Sequence, residues 1–297
     1  MAEGAPATVA VTRSTGGNMS DAAMGDRVTG VTARYDDVAG SVQEYLATNA
    51  ECLGLVYTSW PEQNLSKIAP YAAQIRGLAI NAREAFTWDL SLLSEFKALE
   101  RLVLVEAQKV DLGALPRLKS YRGAWSEGCR LEDCRSIEEL CLQKFAPRSG
   151  DFRSWHALRS LRDLELRQTG LQSLEGMNFE ALQRLEIFRA PKLLSLDGIL
   201  GAPNLHTLKL SVCKRLNHIQ IVAGLERLEV LVLSRLTVES VGFVSSMKKL
   251  RAFRAVESTI GDGKMLPLAA VDDVYFNDKP FYSHRLAQIQ GLRHVKS

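Results

Sequence analysis

The feature that most constrains this chain is a spacing of apolar residues that recurs between residues 158 and 241. Each copy has apolar residues three, three and two positions apart, and successive copies begin 21 to 23 residues apart. The copies are LRSLRDLEL at 158–166, FEALQRLEI at 179–187, APNLHTLKL at 202–210 and LERLEVLVL at 225–233. A fixed period of this length indicates a repeat architecture, in which neighbouring units bury one another's apolar residues.

The last two apolar residues of each copy predict a short β-strand. They are two positions apart, so both side chains lie on the same side of an extended chain. The residues before, between and after them lie on the opposite side, which we call the open face. A single strand of this kind cannot bury its own leucines, and the chain must therefore stack its repeats around one continuous core.

Two stretches carry a family resemblance, LELRQTGLQSL at 164–174 and LKLSVCKRLNHI at 208–219. Their spacing resembles that of leucine-rich repeats, and Cys213 stands where that family has Asn or Cys. The equivalent positions elsewhere are Thr169, Ala190, Leu236 and Ser258, so the family's buried Asn ladder is absent. The repeats are most similar to the short, irregular bacterial type. The resemblance implies an α/β leucine-rich-repeat solenoid, a horseshoe with a parallel β-sheet on the concave face and short helices or irregular chain on the convex side.

The first leucine of each Leu-x-Leu pair, or its substitute, marks one repeat. The markers are Leu55, Leu78, Leu102, Tyr121, Leu140, Leu164, Leu185, Leu208, Leu231, Phe253 and Val274. They predict about 10 to 11 repeats. The intervals on either side of Tyr121 are the shortest, and Tyr-Arg-Gly replaces Leu-x-Leu there, which predicts a local distortion.

The repeats predict four segments. Residues 1–30 are rich in small and polar residues and are expected to form a flexible N-terminal tail. Residues 31–52 contain apolar residues at helical spacing and are expected to form a helical cap on the first repeat. The solenoid is assigned to 53–282, and 283–297 to a C-terminal cap.

Composition excludes some function classes and leaves others open. The net charge of +3 over 297 residues favours neither a nucleic acid nor a membrane partner. The start of the chain lacks the basic and apolar regions of a secretory signal. The five cysteines are an odd number at mostly wide spacings, which favours reduced thiols in a cytoplasmic protein. Cys129, Cys134 and Cys141 leave a disulfide or a metal site open, but the simpler interpretation is that they are buried hydrophobes.

Motifs for catalysis are missing from the sequence. No His-Glu-x-x-His or Gly-x-Ser-x-Gly motif is present, and the glycines around Lys264 lack the spacing of a phosphate-binding loop. The repeats also run almost to the C-terminus, which leaves no room for a separate catalytic domain. We therefore expect a protein that is not an enzyme and that needs no cofactor or metal.

The register identifies residues on the open face that could bind a partner. Aromatic residues and arginine are enriched at binding hot spots. The candidate partner-binding residues are Arg122, Trp125, Lys144, Arg167, Phe188, Arg189, Lys209, Arg235, Arg254 and Tyr275. Two alternatives stay open. Trp125 lies in the irregular repeat and could belong to the core, and the Phe188 ring could pack against a neighbouring turn.

The charge on this face is mixed, because Glu165, Glu186 and Glu257 are interleaved with the basic candidates. Mixed charge with aromatic anchors suits a protein surface better than a nucleic acid, which favours a stripe of one sign. The sequence therefore predicts a protein–protein interaction module that binds through its concave face. Two alternatives stay open: an immunity or inhibitor protein that neutralises a toxin or enzyme, and an effector secreted by a non-classical route that acts on a host protein. No membrane association is expected.

Overall fold

The computed structural model describes residues 30–82, 87–105, 109–155 and 158–292. The chain divides into two compact units, one ending at Ser136 and the other beginning at Ile137. Each unit is a stack of short parallel strands joined by turns and 3₁₀ helices, which confirms the predicted α/β repeat class. Most of the predicted N-terminal tail lies outside the described residues, as do the last five residues of the predicted C-terminal cap.

The described part of the first unit contains five parallel strands, each paired with the next along the chain. They are β1 (Gly30–Thr32), β2 (Cys52–Val56), β3 (Gly77–Asn81), β4 (Arg101–Val105) and β5 (Ser120–Ala124). Helix α1 (Val38–Ala47) separates β1 from β2. The 3₁₀ helices of this unit are Ala69–Tyr71, Ser91–Glu95, Leu112–Ala114 and Leu131–Asp133.

Helix α1 lies within the segment predicted as a helical cap. Its N-terminus is capped by Asp37, whose carboxylate accepts a hydrogen bond from the Gly40 N–H at 3.0 Å. At the other end of the helix the buried Tyr45 hydroxyl accepts the Gly77 N–H at 3.0 Å, and so ties α1 to the start of β3. The edge strand β1 precedes this helix and was not predicted.

The described part of the second unit contains seven parallel strands of one sheet, paired in chain order. They are β6 (Glu139–Gln143), β7 (Asp163–Arg167), β8 (Arg184–Phe188), β9 (Thr207–Ser211), β10 (Val230–Ser234), β12 (Ala252–Val256) and β14 (Asp273–Phe276). A small second sheet pairs β11 (Thr237–Val238) with β13 (Thr259–Ile260). The 3₁₀ helices are Ile199–Gly201, Ile219–Gly224, Gly242–Ser246 and Leu266–Ala270, and helix α2 (Leu286–Gly291) packs against β14.

The strand register confirms ten of the eleven repeat markers within their units. Leu78, Leu102 and Tyr121 are partners across β3, β4 and β5. Markers Leu140 to Val274 are partners in the same way across the second unit. The first marker is wrong: Leu53, not Leu55, lies opposite Leu78. Both leucines lie on the core side of β2, so a shift of two residues preserves the face and is invisible to the apolar pattern.

The irregular repeat around Tyr121 shows how one ring can replace two leucines. Tyr121 is 1% exposed, and its hydroxyl donates a hydrogen bond to the Ala124 carbonyl at 3.1 Å. A side chain on Gly123 would meet this hydroxyl, since an ideal Cβ there would lie 2.4 Å from it. The pairing of β4 with β5 covers three residues, whereas β3 and β4 pair over five.

An aromatic cluster in the core of the second unit lies in the connections between β6 and β7 and between β7 and β8. Phe152 is completely buried, and its ring centroid lies 5.7 Å from that of Phe145, 5.1 Å from Trp155 and 5.5 Å from Phe179. Offset and edge-on ring pairs at such distances are favourable beyond the area that they bury.

Hydroxyl groups occupy part of the ladder that Asn forms in other leucine-rich repeats. Thr169 is 2% exposed; its hydroxyl donates to the Phe145 carbonyl at 2.8 Å and accepts the Leu171 N–H at 3.2 Å. Ser258 does the same further along, donating to the Leu233 carbonyl and accepting the Leu236 N–H, both at 3.1 Å. Each hydroxyl satisfies buried backbone groups in a turn that has no regular partner.

Replacing Thr169 by valine is expected to lower the free energy of unfolding by about 2 kcal/mol, since a buried N–H left without a partner costs about 1–3 kcal/mol. The Phe145 carbonyl retains the Gly170 N–H at 2.7 Å, so the unpaired group is the Leu171 N–H. Urea denaturation followed by circular dichroism measures the change. Thr169→Ser is the matched control, because it keeps the hydroxyl; a serine variant that loses as much as the valine variant contradicts the hydrogen-bond explanation.

Candidate functional site

The open face of the second unit is formed by the first, third and fifth residues of each strand, because the second and fourth enter the core. Their partners across the sheet therefore form three rows. The middle row contains Cys141, Glu165, Glu186, Lys209, Val232, Arg254 and Tyr275. The structure thus places Arg167, Phe188, Lys209, Arg254 and Tyr275 of the predicted residues on one face.

Charged side chains on β7, β8 and β9 neutralise one another. Glu186 lies 3.1 Å from Arg184 and 3.6 Å from Lys209, while Arg184 also lies 3.7 Å from Asp163. Burial raises the pKa of Asp163, an effect that the nearby Arg184 opposes. This network accounts for much of the charge that the sequence places at the centre of the face.

Glu165 and Arg167 are more enclosed than the strand alternation predicts. They form an ion pair in which the Glu165 side chain is 10% exposed and the Arg167 side chain 16% exposed. The two residues are two positions apart on β7, so their side chains lie on the same face and reach each other. Each charged group covers its partner from water.

Next to this network the open face becomes neutral. The uncharged residues of β9, β10 and β12 on this face are Thr207, Ser211, Val230, Val232, Ser234, Ala252 and Val256, which we call the neutral strip. All of them are partly exposed. Arg254, between Ala252 and Val256 on β12, is paired with Asp273 on β14, and Tyr275 is 42% exposed at the last strand. The neutral strip was not predicted, because the residues predicted to bind a partner are all basic or aromatic, whereas those of the strip are small and uncharged.

Phe188 lies at the end of β8 between Arg167 and Ser211 in the sheet register. The Arg189 guanidinium carbon lies 5.0 Å from the Phe188 ring centroid, which is a cation–π distance. Phe188 is partly exposed on the open face. It forms the boundary between the ion-pair network and the neutral strip.

Three predicted residues, Lys144, Arg189 and Arg235, are not part of the strands. Each directly follows a strand and has a left-handed backbone conformation, with φ values of 58°, 57° and 55°. A left-handed residue ends the strand alternation, so these side chains project from the edge of the sheet rather than from its open face. Arg235 pairs with Glu257 at 2.7 Å, and Lys144 and Arg189 are exposed.

The two predicted residues of the first unit lie on and just beyond β5. Arg122 is the third residue of that strand and is partly exposed; Trp125 follows the strand and is also partly exposed. On the open face of this unit, Cys52, Ala79 and Val103 form a buried apolar cluster.

The cysteines are free and buried, with no disulfide among them. Burial raises the pKa of Cys52 to about 12 and that of Cys213 to about 11. Burial and the neighbouring Cys129 raise the pKa of Cys134 to about 12. Thiols in such surroundings stay protonated at neutral pH and are poor nucleophiles. Within the described ranges, no group of three His, Cys, Asp or Glu residues is arranged to hold a metal ion.

A cleft of about 510 Å³ opens beside the turns that follow β9 and β10, and the sequence did not predict it. Backbone hydrogen bonds join the preceding turns to one another: the Leu194 N–H donates to the Gln172 carbonyl, and the Asn217 N–H donates to the Leu194 carbonyl. A bond of the same kind joins the turns after β10 and β12, where the Asp262 N–H donates to the Glu239 carbonyl. The turn from Cys213 to Ile219 is one residue longer than that from Leu236 to Val241, and the cleft lies at this change of length.

In the described part of the chain, no helix has the length and apolar character to cross a membrane.

Neither a family model nor a curated protein matches the sequence. Solved structures resemble its fold. An internalin (inlF) from Listeria monocytogenes aligns with a TM-score of 0.58 at 18% identity, over 81% of this chain and 71% of the internalin chain. The TLR13–ssRNA13 complex aligns with a TM-score of 0.54 at 17% identity, over 75% of this chain and 38% of the TLR13 chain. Together with the repeating parallel strands and their leucine register, these likenesses show that the chain has the leucine-rich-repeat fold.

Proposed function

We propose that this chain is a protein-binding module and that the open face of the second unit, centred on the neutral strip, contacts the partner. The observation that supports this most directly is the arrangement of the face. Partly exposed Val, Ala, Ser and Thr occupy the whole open face of β10 and the outer positions of β9 and β12, whose central Lys209 and Arg254 are each paired with a carboxylate. Protein interfaces commonly have a core poor in charge and a polar rim.

The aromatic side chains at the two ends of the strip support the same proposal. Phe188 borders it on β8, and Tyr275 is exposed on β14. Large, rigid aromatic side chains are common hot spots of protein interfaces. The charged groups of β7 to β9 already satisfy one another, so on this proposal they orient a partner rather than supply most of the binding energy.

A single charge in the neutral strip is expected to abolish capture of the partner. Val232 is the central residue of β10, and in Val232→Glu a carboxylate would have to be desolvated when the partner binds. The test is affinity capture from lysate of the native cells, with the captured protein then purified and its affinity measured by calorimetry. We expect a loss of at least about tenfold, equivalent to roughly 1.4 kcal/mol.

Two further variants make this experiment decisive. Leu266→Glu adds the same charge at an apolar residue that is 55% exposed and not on the strand face, and it should bind as the wild type does. The triple variant Phe188→Ala, Arg189→Ala, Lys209→Ala tests the site predicted from the sequence. Wild-type affinity in Val232→Glu, together with loss in the triple variant, would move the contact surface to β8 and contradict the assignment to the neutral strip.

A further inference from the structure

Three of the four turns that follow strands β6 to β9 carry positive charge only, and the turn after β7 is uncharged. These turns are residues 144–149, 168–173, 189–195 and 212–220, and all lie within the described residues. They contain six basic residues and no aspartate or glutamate: Lys144, Arg148, Arg189, Lys192, Lys214 and Arg215. We call these six residues the basic rim.

The opposite edge of the same strands is nearly balanced. The short segments that lead into β6 to β9, residues 135–138, 159–162, 180–183 and 203–206, contain three basic and two acidic residues: Arg135, Arg159, Arg162, Glu138 and Glu180. The net charge of the whole chain, +3, therefore conceals a separation of charge between the two edges of the sheet. Only a field of one sign persists over the size of a partner, since mixed charges cancel at a distance.

Strand geometry gathers the basic rim into one surface. Strands β6, β7, β8 and β9 are parallel neighbours, so their carboxyl ends and the turns beyond them lie along one edge. Parallel neighbours are about 4.8 Å apart, so the rim extends over roughly 15 Å. All six side chains are exposed.

Most of the rim charge is not compensated locally. Within the part of the chain that the structure describes, Lys144, Lys192, Lys214 and Arg215 form no ion pair. The carboxylates of the adjoining strands, Glu165 and Glu186, are already paired with Arg167, Arg184 and Lys209. Asp151 and Glu175, which follow the first two turns, are paired with Arg153. Arg189 packs over the Phe188 ring. Closely spaced cations without anions repel one another, and a ligand that supplies negative charge relieves this.

We propose that the basic rim binds an acidic, carboxylate-rich polypeptide segment of the partner. The inference rests on the proposed function, since it names the chemistry of one flank of the same protein partner. Arginine binds carboxylates through two parallel hydrogen bonds, and lysine adds point charges. The four turns also expose amide groups such as those of Gln172 and Asn217, which suit a peptide backbone.

A nucleic acid fits this surface less well. Proteins that bind single strands stack bases on exposed aromatic rings along the basic track. The four turns contain no exposed Phe, Tyr or Trp, since their one such residue, Phe145, is completely buried, and His218 is their one exposed ring. The charge alone attracts either polymer, and the missing stacking surface favours a polypeptide.

The test uses the full-length chain and two fluorescent probes of equal length, an oligoglutamate peptide and an oligothymidylate, with binding measured by fluorescence anisotropy. The rim variant is Lys192→Glu, Lys214→Glu, Arg215→Glu. The matched control is Lys248→Glu, Lys249→Glu, Arg251→Glu, which makes the same charge change at exposed residues of the same unit before β12. Circular dichroism verifies that both variants are folded.

The wild type and the control variant are expected to bind oligoglutamate alike, and the rim variant to lose at least about tenfold in affinity. Added salt should weaken the binding steeply, because exposed charges are screened. Equal loss in both variants, no oligoglutamate binding by the wild type, or tighter binding of oligothymidylate would each overturn the proposal.

The outcome is independent of the contact surface proposed for the neutral strip. Val232→Glu should still bind oligoglutamate, since Val232 lies on the open face and not in the turns of the rim. If the rim does not bind oligoglutamate but Val232→Glu abolishes partner capture, the chain is a protein-binding module whose partner supplies no acidic segment to the rim. A rim that binds while Val232→Glu captures normally would contradict the neutral strip and leave the rim in place.

Discussion

Truncating Phe152 to alanine is expected to lower the free energy of unfolding of the second unit by about 3–5 kcal/mol. The ring is completely buried and makes three aromatic contacts, with Phe145, Trp155 and Phe179. Phe145 and Trp155 lie in the same connection between β6 and β7 as Phe152, whereas Phe179 lies in the next connection, so the ring joins two successive repeats. Its loss therefore removes both the transfer free energy and the packing of one repeat on the next.

Urea denaturation measures this, with far-ultraviolet circular dichroism for the whole chain and tryptophan fluorescence for the surroundings of its four tryptophans, Trp155 among them. The control is Phe188→Ala, which removes the same side chain from a half-exposed position on the open face. That variant should stay within about 1 kcal/mol of the wild type. If the two phenylalanine variants unfold at the same urea concentration, Phe152 does not hold these repeats together.

Replacing Gly198 by alanine is the second large effect, expected at roughly 2–5 kcal/mol from backbone strain and overpacking combined. Gly198 has φ of +98°, a conformation that residues with a Cβ rarely adopt. An ideal Cβ would also lie 2.0 Å from the Leu174 carbonyl oxygen, in the turn of the preceding repeat. Neither backbone can move without separating the two repeats.

Gly128 supplies a matched control, because it separates the two causes. Its φ of +86° is similar, but nothing lies within 4 Å of the Cβ that alanine would add. Gly128→Ala should therefore cost only about 1 kcal/mol, from the backbone conformation alone. Thermal unfolding of both variants compares them, and equal losses would show that the close approach between repeats is tolerated.

Much of the fold is readable from the spacing of leucines, because a strand that buries one face needs apolar residues at every second position. The same argument explains the misplaced first marker. Leu53 and Leu55 satisfy the pattern equally, and only the pairing of β2 with β3 distinguishes them. Strand β1 was missed because three residues are too few to show a period, and its pairing with β2 defines it.

The candidate site was less readable for a different reason. Alternation along a strand tells which residues share a face, and it correctly placed Phe188, Lys209 and Tyr275 together. It does not tell which of them are enclosed by their neighbours, as Glu165 and Arg167 are. The basic rim is present in the sequence as four turns without an acidic residue, but it becomes one surface only when the strands before those turns are known to be parallel neighbours.

The sequence by itself determined the repeat, its length and the core side of each strand, since these depend on spacing within one repeat and on the need to bury leucine. The tertiary structure decided which charges are neutralised, where the backbone turns left-handed, and where a change in turn length opens the cleft. Those features depend on distances between residues about twenty positions apart in the chain. Such distances follow from the stacking of repeats and from no local pattern.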